Sequence, residues 1–286
     1  MTHFITKRFP VEVVHCAGTV PREACTSQLK RLLMYLCLAV IVPTLQQSAR
    51  SEEDDVQNAE LIASAPPEYR RFIERGKVRF RHDDKKLKAM GKAGLTEFHF
   101  NIKQTFNCRL NSTRSGNKQA KRISVAITDF SYEISHTVIL RSQKTAADAW
   151  EDKILKHEFD HVAISTDPRV AQLVRSQVGT SFTFVVATES PQVELTENQV
   201  LAKVREELDK RRDKIQECVQ SNYDLLDSVS TSGTRAIQDR SKFFEQLYLR
   251  ENLLKCGLEL TEDLKKLIAS AKYKKIAGHY DLLTKP

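Results

Sequence analysis

Residues 149–162 read Ala149-Trp150-Glu151-Asp152-Lys153-Ile154-Leu155-Lys156-His157-Glu158-Phe159-Asp160-His161-Val162, and this stretch ends one kind of patterning and begins another. Before it, apolar residues recur every second position. Val78, Phe80 and His82 alternate with Lys77, Arg79 and Arg81; Phe98, Phe100 and Ile102 alternate with Glu97, His99 and Asn101; Ile123, Val125 and Ile127 continue, followed by Tyr132, Ile134 and Val138. Period-two apolarity in several runs predicts an antiparallel sheet with one covered face. Asn111–Lys121 is polar and contains Gly116, so it is expected to be the loop of a hairpin.

After Gln143 the period changes. Ala146, Ala149, Trp150, Ile154 and Leu155 lay out a helical stripe running to about Ser165. Thr166-Asp167-Pro168 reads as a stop and a fresh helix start, because proline is tolerated in the first helical turn. A second helix is expected over Val170–Val178, a strand over Phe182–Ala187 and a long helix from Thr196 onward. A break at Ser228–Gly233 then precedes a helical tail. Strands first and helices after predict an α+β fold: an antiparallel sheet, then the helix carrying the histidines, then further long helices. The expected organisation is a leader over 1–51, a linker and short helix over 52–95, and one α+β domain over 96–286.

The composition is globular: 286 residues, 41% hydrophobic and 29% charged, with a net charge of +8. Four of those eight charges belong to residues 1–51, where Lys7, Arg8, Arg22, Lys30, Arg31 and Arg50 face only Glu12 and Glu23. Elsewhere bases mix with acids, as in Arg205–Asp213, the pattern of a solvated helix face. The basic loop at Arg114, Lys118, Lys121 and Arg122 has no aromatic stacking platform, so no nucleic-acid partner is expected. Lys30-Arg31 followed by the uncharged run Leu32–Val42 reads as a signal peptide, with Ala49-Arg50-Ser51 offering small residues near a cut. Eleven apolar residues are short for a bilayer span of about 20. The expectation is a secreted or periplasmic protein, touching a membrane only if the leader is retained as an anchor. Cys108, Cys218 and Cys256 lie beyond that segment, an odd number for an oxidising compartment; one disulfide plus one free thiol is the simplest outcome, with Cys108–Cys218 a pairing that would tie strand to helix. No cysteine pair has the spacing of a zinc ribbon, and no P-loop, dinucleotide fingerprint or nucleophile elbow is present.

The chemistry concentrates in His157-Glu158-Phe159-Asp160-His161. On a helix, positions 157 and 161 lie one turn apart on one face, so two imidazoles can reach one ion. Zinc accepts neutral histidine nitrogens readily. Glu158, one residue along, is placed to act as general base on a water whose pKa such an ion lowers. The implied cofactor is zinc, the metal ligands are His157 and His161, the catalytic residue is Glu158, and the partner is a peptide or protein substrate. Asp160 is expected to face water, Trp150 to anchor the core, and His82, His99 and His136 to be ordinary strand residues.

From Phe98 to Leu247 the chain resembles a family of bacterial secreted zinc-dependent proteases. The resemblance rests on Phe106-Asn107-Cys108-Arg109-Leu110, on Trp150 shortly before His157–His161, and on Val162-Ala163-Ile164 after it. A stretched copy of later family features follows in Tyr223-Asp224, Thr231-Ser232-Gly233, Gln238 and Phe243. It implies an exported metallopeptidase with a histidine before that glycine as a natural third ligand, and here that residue is Ser232. Catalytic zinc takes three protein ligands, so the third must come from elsewhere. Asp224, Asp227, Glu206, Glu217 and Asp167 are the candidates. An incomplete set would instead leave a non-catalytic envelope protein that binds a partner.

Overall fold

The computed structural model describes residues 3–5, 11–14, 58–115, 118–141, 146–188, 194–271 and 273–274. The apolar run at 32–42 and its possible cut near 49–51 lie outside them. No helix among the described residues is long and apolar enough to cross a membrane.

The elements, in chain order, are β1 (His3–Ile5), β2 (Val11–Val14), α1 (Pro67–Gly76), β3 (Val78–His82), α2 (Asp84–Ala89), β4 (Gly94–Ser115), β5 (Lys118–Leu140), α3 (Ala146–Ala149), α4 (Lys153–Ser165), α5 (Pro168–Val178), β6 (Phe182–Ala187), α6 (Glu197–Ser230), α7 (Arg240–Gln246), α8 (Arg250–Lys255) and α9 (Glu262–Ala269). The fold is α+β, as the change of period predicts. The sheet is mixed, not antiparallel. β4 and β5 form its long antiparallel centre and β6 pairs antiparallel with β5, but β3 runs parallel to β5 with Val78 opposite His136. Period-two alternation reports which face is buried and is silent on direction; the α2 connection carries the chain from β3 past β5 to β4.

The expected loop at Asn111–Lys121 is a second correction. β4 and β5 stay paired from Asn111↔Arg122 out to Ser115↔Lys118. Polar residues can extend a ribbon once backbone ladder bonds satisfy it, which is why polarity alone misleads there. Residues 67–95, read from sequence as leading into the domain, supply β3 to the sheet and Tyr69, Phe72, Ile73, Val78 and Phe80 to its core.

Three helix starts explain the helical half. Asp152 caps α4 by accepting from Ile154 N–H, so the stripe read from Ala146 is split into α3 and α4. Asp167 caps α5 in the same way with Pro168 just inside, as the sequence indicates. Thr196 and Gln199 close a capping box at the head of the 34-residue α6. Trp150 is a core anchor: its indole N–H donates to Leu61 O at 3.2 Å and its ring meets Tyr69 and Phe159.

The covered face of the sheet, with Phe98, Phe100, Ile134 and Val138, packs beneath α4, and α6 lies across the other side of that helix. From Leu155 to Ser165 only Lys156 is not fully buried. Asp160 therefore cannot face water. It forms a buried two-pronged ion pair with Arg240 at the head of α7, tying the α7–α9 tail to α4. The cysteines correct another expectation. Cys108 is buried on β4, while the thiol beside Cys218 is that of Cys256, and all three are free.

His136 on β5 is a satisfied core histidine. Its Nδ1 meets the Gly76 carbonyl at 2.7 Å, so Nδ1 carries the proton; Nε2 then accepts from Ser165 Oγ at 2.6 Å, and Ser165 in turn accepts from Tyr223 at 2.9 Å. Burial lowers its pKa to about 4, against which the Gly76 bond works only in part. In the unfolded chain the imidazole takes a proton near pH 6.5, so stability is fully present above that pH and is lost as pH falls from 6.5 towards 4. The loss attributable to His136 approaches ~3 kcal/mol at the acid end. Urea unfolding at pH 7.5 and pH 5 should show it, and His136→Gln should flatten the difference.

Candidate metal centre

α4 is pressed between the sheet and α6, so its ring-bearing face cannot turn towards solvent. His157 and His161 stand on it one turn apart with ring centroids 4.7 Å from each other. Both point at one atom. His157 Nε2 lies 2.9 Å and His161 Nε2 3.1 Å from Asp227 Oδ1, near the C-terminal end of α6. Asp227 thus brings together with the two histidines the carboxylate that the sequence left open among five. It is the third member of a group whose ligand atoms all lie within 4.8 Å of one another.

The other four carboxylates are elsewhere. Asp224, one step round α6, is exposed and accepts from Gln220. Glu206 is exposed and held by Lys203 and Lys210. Glu217 is exposed on the outer face of α6. Asp167 is wholly buried but caps α5 and grips Arg169 at 2.9 Å. Ser232, standing where the resemblance implies a histidine, lines the same cleft, and Gly233 beside it packs against the His157 ring. A Cβ on Gly233 would lie 2.7 Å from His157 Cβ, and its φ of +83° is one that side-chain-bearing residues rarely adopt. Ser230, one turn beyond Asp227, faces His157 Nδ1 at 3.4 Å.

Glu158 lies behind the histidines, fully buried. Thr96 on β4 donates its hydroxyl to Glu158 Oε2 at 2.8 Å and to the Glu158 carbonyl at 3.1 Å. Gly94 leaves room for Oε1. Burial is the largest influence on this carboxyl and raises its pKa, opposed by the nearby His161 and His157 and by the Thr96 bond. Asp227 goes the other way. Burial pulls its pKa up, but the bonds from His157 and His161 and the charges of His161 and Lys92 outweigh it and hold it far below the usual carboxylate range. Their surroundings thereby push the two carboxyls in opposite directions, Glu158 up and Asp227 down.

These residues could hold a metal ion. Two imidazole nitrogens and one carboxylate oxygen converge from two helices beside a buried glutamate, a donor set that suits a divalent transition metal, zinc among them. The cleft above them has a volume of about 270 Å³ and is lined by Met90–Glu97, by Gln220, Tyr223 and Asp227 of α6, and by Ser232 and Thr234. Thr96, Gly94 and Lys92 were not found from sequence. Asp227 did carry a signal: it follows Val219 and Tyr223 at helical spacing on the buried stripe of α6, an acid where an apolar residue is the rule.

No family model, no curated protein and no solved structure matches this chain.

A Cβ at position 94 would meet Glu158 Oε1 at 2.6 Å and Ile154 Cγ2 at 2.7 Å. Gly94→Val should therefore lower stability by about 1–3 kcal/mol through overpacking. The measurement is the urea midpoint, and an unchanged midpoint would show that β4 and α4 do not hold Glu158 this tightly.

Proposed function

We propose that this protein is an exported zinc peptidase in which His157, His161 and Asp227 hold the metal and Glu158 is the general base. The observation that carries the reading is the convergence of both Nε2 atoms on Asp227 Oδ1, 66 and 70 positions apart in sequence, beside a buried glutamate. The family resemblance and the leader pattern support the same reading, and the export and peptide specificity rest on them. An incomplete ligand set was the feature favouring a non-catalytic binding protein, and Asp227 supplies the ligand that Ser232 does not.

Bound zinc would contribute Lewis acidity and lower the pKa of a water from near 16 towards ~7. The chain's own residues do the rest. A substrate carbonyl bound in the cleft would lie over the face bearing the two histidines. Glu158, its pKa raised by burial, takes the proton of the attacking water and returns it to the departing amine nitrogen. Thr96 fixes one carboxylate oxygen, leaving the other to exchange that proton. The burial of α4 from His157 to Ser165 keeps the charges in a low-dielectric setting where they act strongly.

Elemental analysis of the purified chain should find close to one zinc per molecule, lost in Asp227→Ala and in His157→Ala/His161→Ala. Glu158→Gln should keep the zinc and hydrolyse an unstructured protein such as casein about 10²–10⁴-fold more slowly. Absence of zinc from the wild-type chain, or full activity in Glu158→Gln, would remove the basis of this reading.

A further inference from the structure

The cleft contains one lysine, which is not itself a metal ligand. Lys92 reaches in from the α2–β4 connection, and its Nζ lies 3.7 Å from Asp227 Oδ2, the carboxylate oxygen turned away from the histidines. Its backbone is pinned at both ends. Lys92 N–H donates to Leu87 O at 2.9 Å, and Lys92 O accepts from Arg141 Nε at 2.7 Å. The side chain is 41% exposed, so its ammonium can turn from Asp227 into the cleft while the backbone stays fixed. Among the described residues lining the cleft, Lys92 is also the only lysine or arginine.

Most other side-chain donors there are committed. The Tyr223 hydroxyl points back to Ser165, the Thr234 hydroxyl to Thr231 O, the Thr96 hydroxyl to Glu158 and the Gln220 amide to Asp224. The site already holds Asp227 and Glu158, so an added negative charge needs a cation that neither of them neutralises completely. Hydrolysis of an amide creates such a charge on the carbonyl oxygen.

We propose that Lys92 receives the negative charge that develops on the substrate carbonyl oxygen, an assignment that rests on the peptidase reading above. As the water oxygen bonds to the carbonyl carbon, its proton goes to Glu158 and the C=O π pair moves onto the oxygen facing the Lys92 ammonium. The pair returns as the C–N bond breaks, and the nitrogen leaves with the proton from Glu158. Acid and amine are the products.

The test uses the full-length zinc-loaded chain and inorganic phosphate, a tetrahedral oxyanion, as the calorimetric probe. Zinc content is measured first in the same samples. Lys92→Met should keep its zinc and bind phosphate at least tenfold more weakly, with Lys92→Arg recovering part of the loss. Phosphate affinity within twofold of wild type would overturn the assignment, as would a zinc-loaded wild type that binds no phosphate. Loss of zinc in Lys92→Met would overturn it too, and would make Lys92 a positioning residue for Asp227. A wild-type chain without zinc would defeat the peptidase reading itself, so the two failures are told apart.

Discussion

Four titratable side chains between His157 and His161 are out of water, and the rest of the molecule is arranged to make that tolerable. A buried charge without a partner is among the costliest arrangements a fold can hold. Here each has one. Asp160 has Arg240, Glu158 has Thr96 and the neighbouring imidazoles, and both histidines have Asp227. The partners come from β4, α6 and α7, so satisfying one helix fixes the placement of three other elements around it. The sheet supplies apolar support from below through Phe98, Phe100 and Val138, and the Tyr223 ring packs at a tilt against His161 with ring centroids 4.4 Å apart.

This dependence explains what could be read from sequence and what could not. His157, Glu158 and His161 were legible because helical periodicity alone brings positions i and i+4 together. The caps at Asp167 and Thr196 were legible for the same local reason. Asp227 joins the site only because α6 crosses α4, and no spacing rule connects residue 161 with residue 227. The direction of β3, the partner of Asp160 and the neighbour of Cys218 are equally products of packing. Asn111–Lys121 misled because a polar sequence was read as a loop, whereas ladder hydrogen bonds do not depend on side-chain polarity.

Tyr223, Ser165 and His136 join the two halves of the molecule through a run of directed hydrogen bonds. The Gly76 carbonyl has no proton to give, so it dictates the His136 tautomer, and the direction of every bond up to Tyr223 follows. The Tyr223 hydroxyl is consequently spent inside the core, and the face that tyrosine shows to the cleft is its ring. The polar groups of the cleft therefore come from its other lining residues, among them Lys92, Thr96, the α4 side chains His157, Glu158 and His161, and Asp227 on α6.

The length of α6 has a consequence of its own. It starts at a capping box on Thr196 and delivers Asp227 near its far end, with buried contacts at Leu208, Ile215, Val219 and Tyr223 on the way. An α-helix turns by about 100° per residue. Adding or deleting a single residue between Thr196 and Asp227 would therefore swing the carboxylate off the histidines or drag the apolar stripe off the core. The helix works as a ruler, and among homologues that keep this centre its residue count should vary far less than its residue identities.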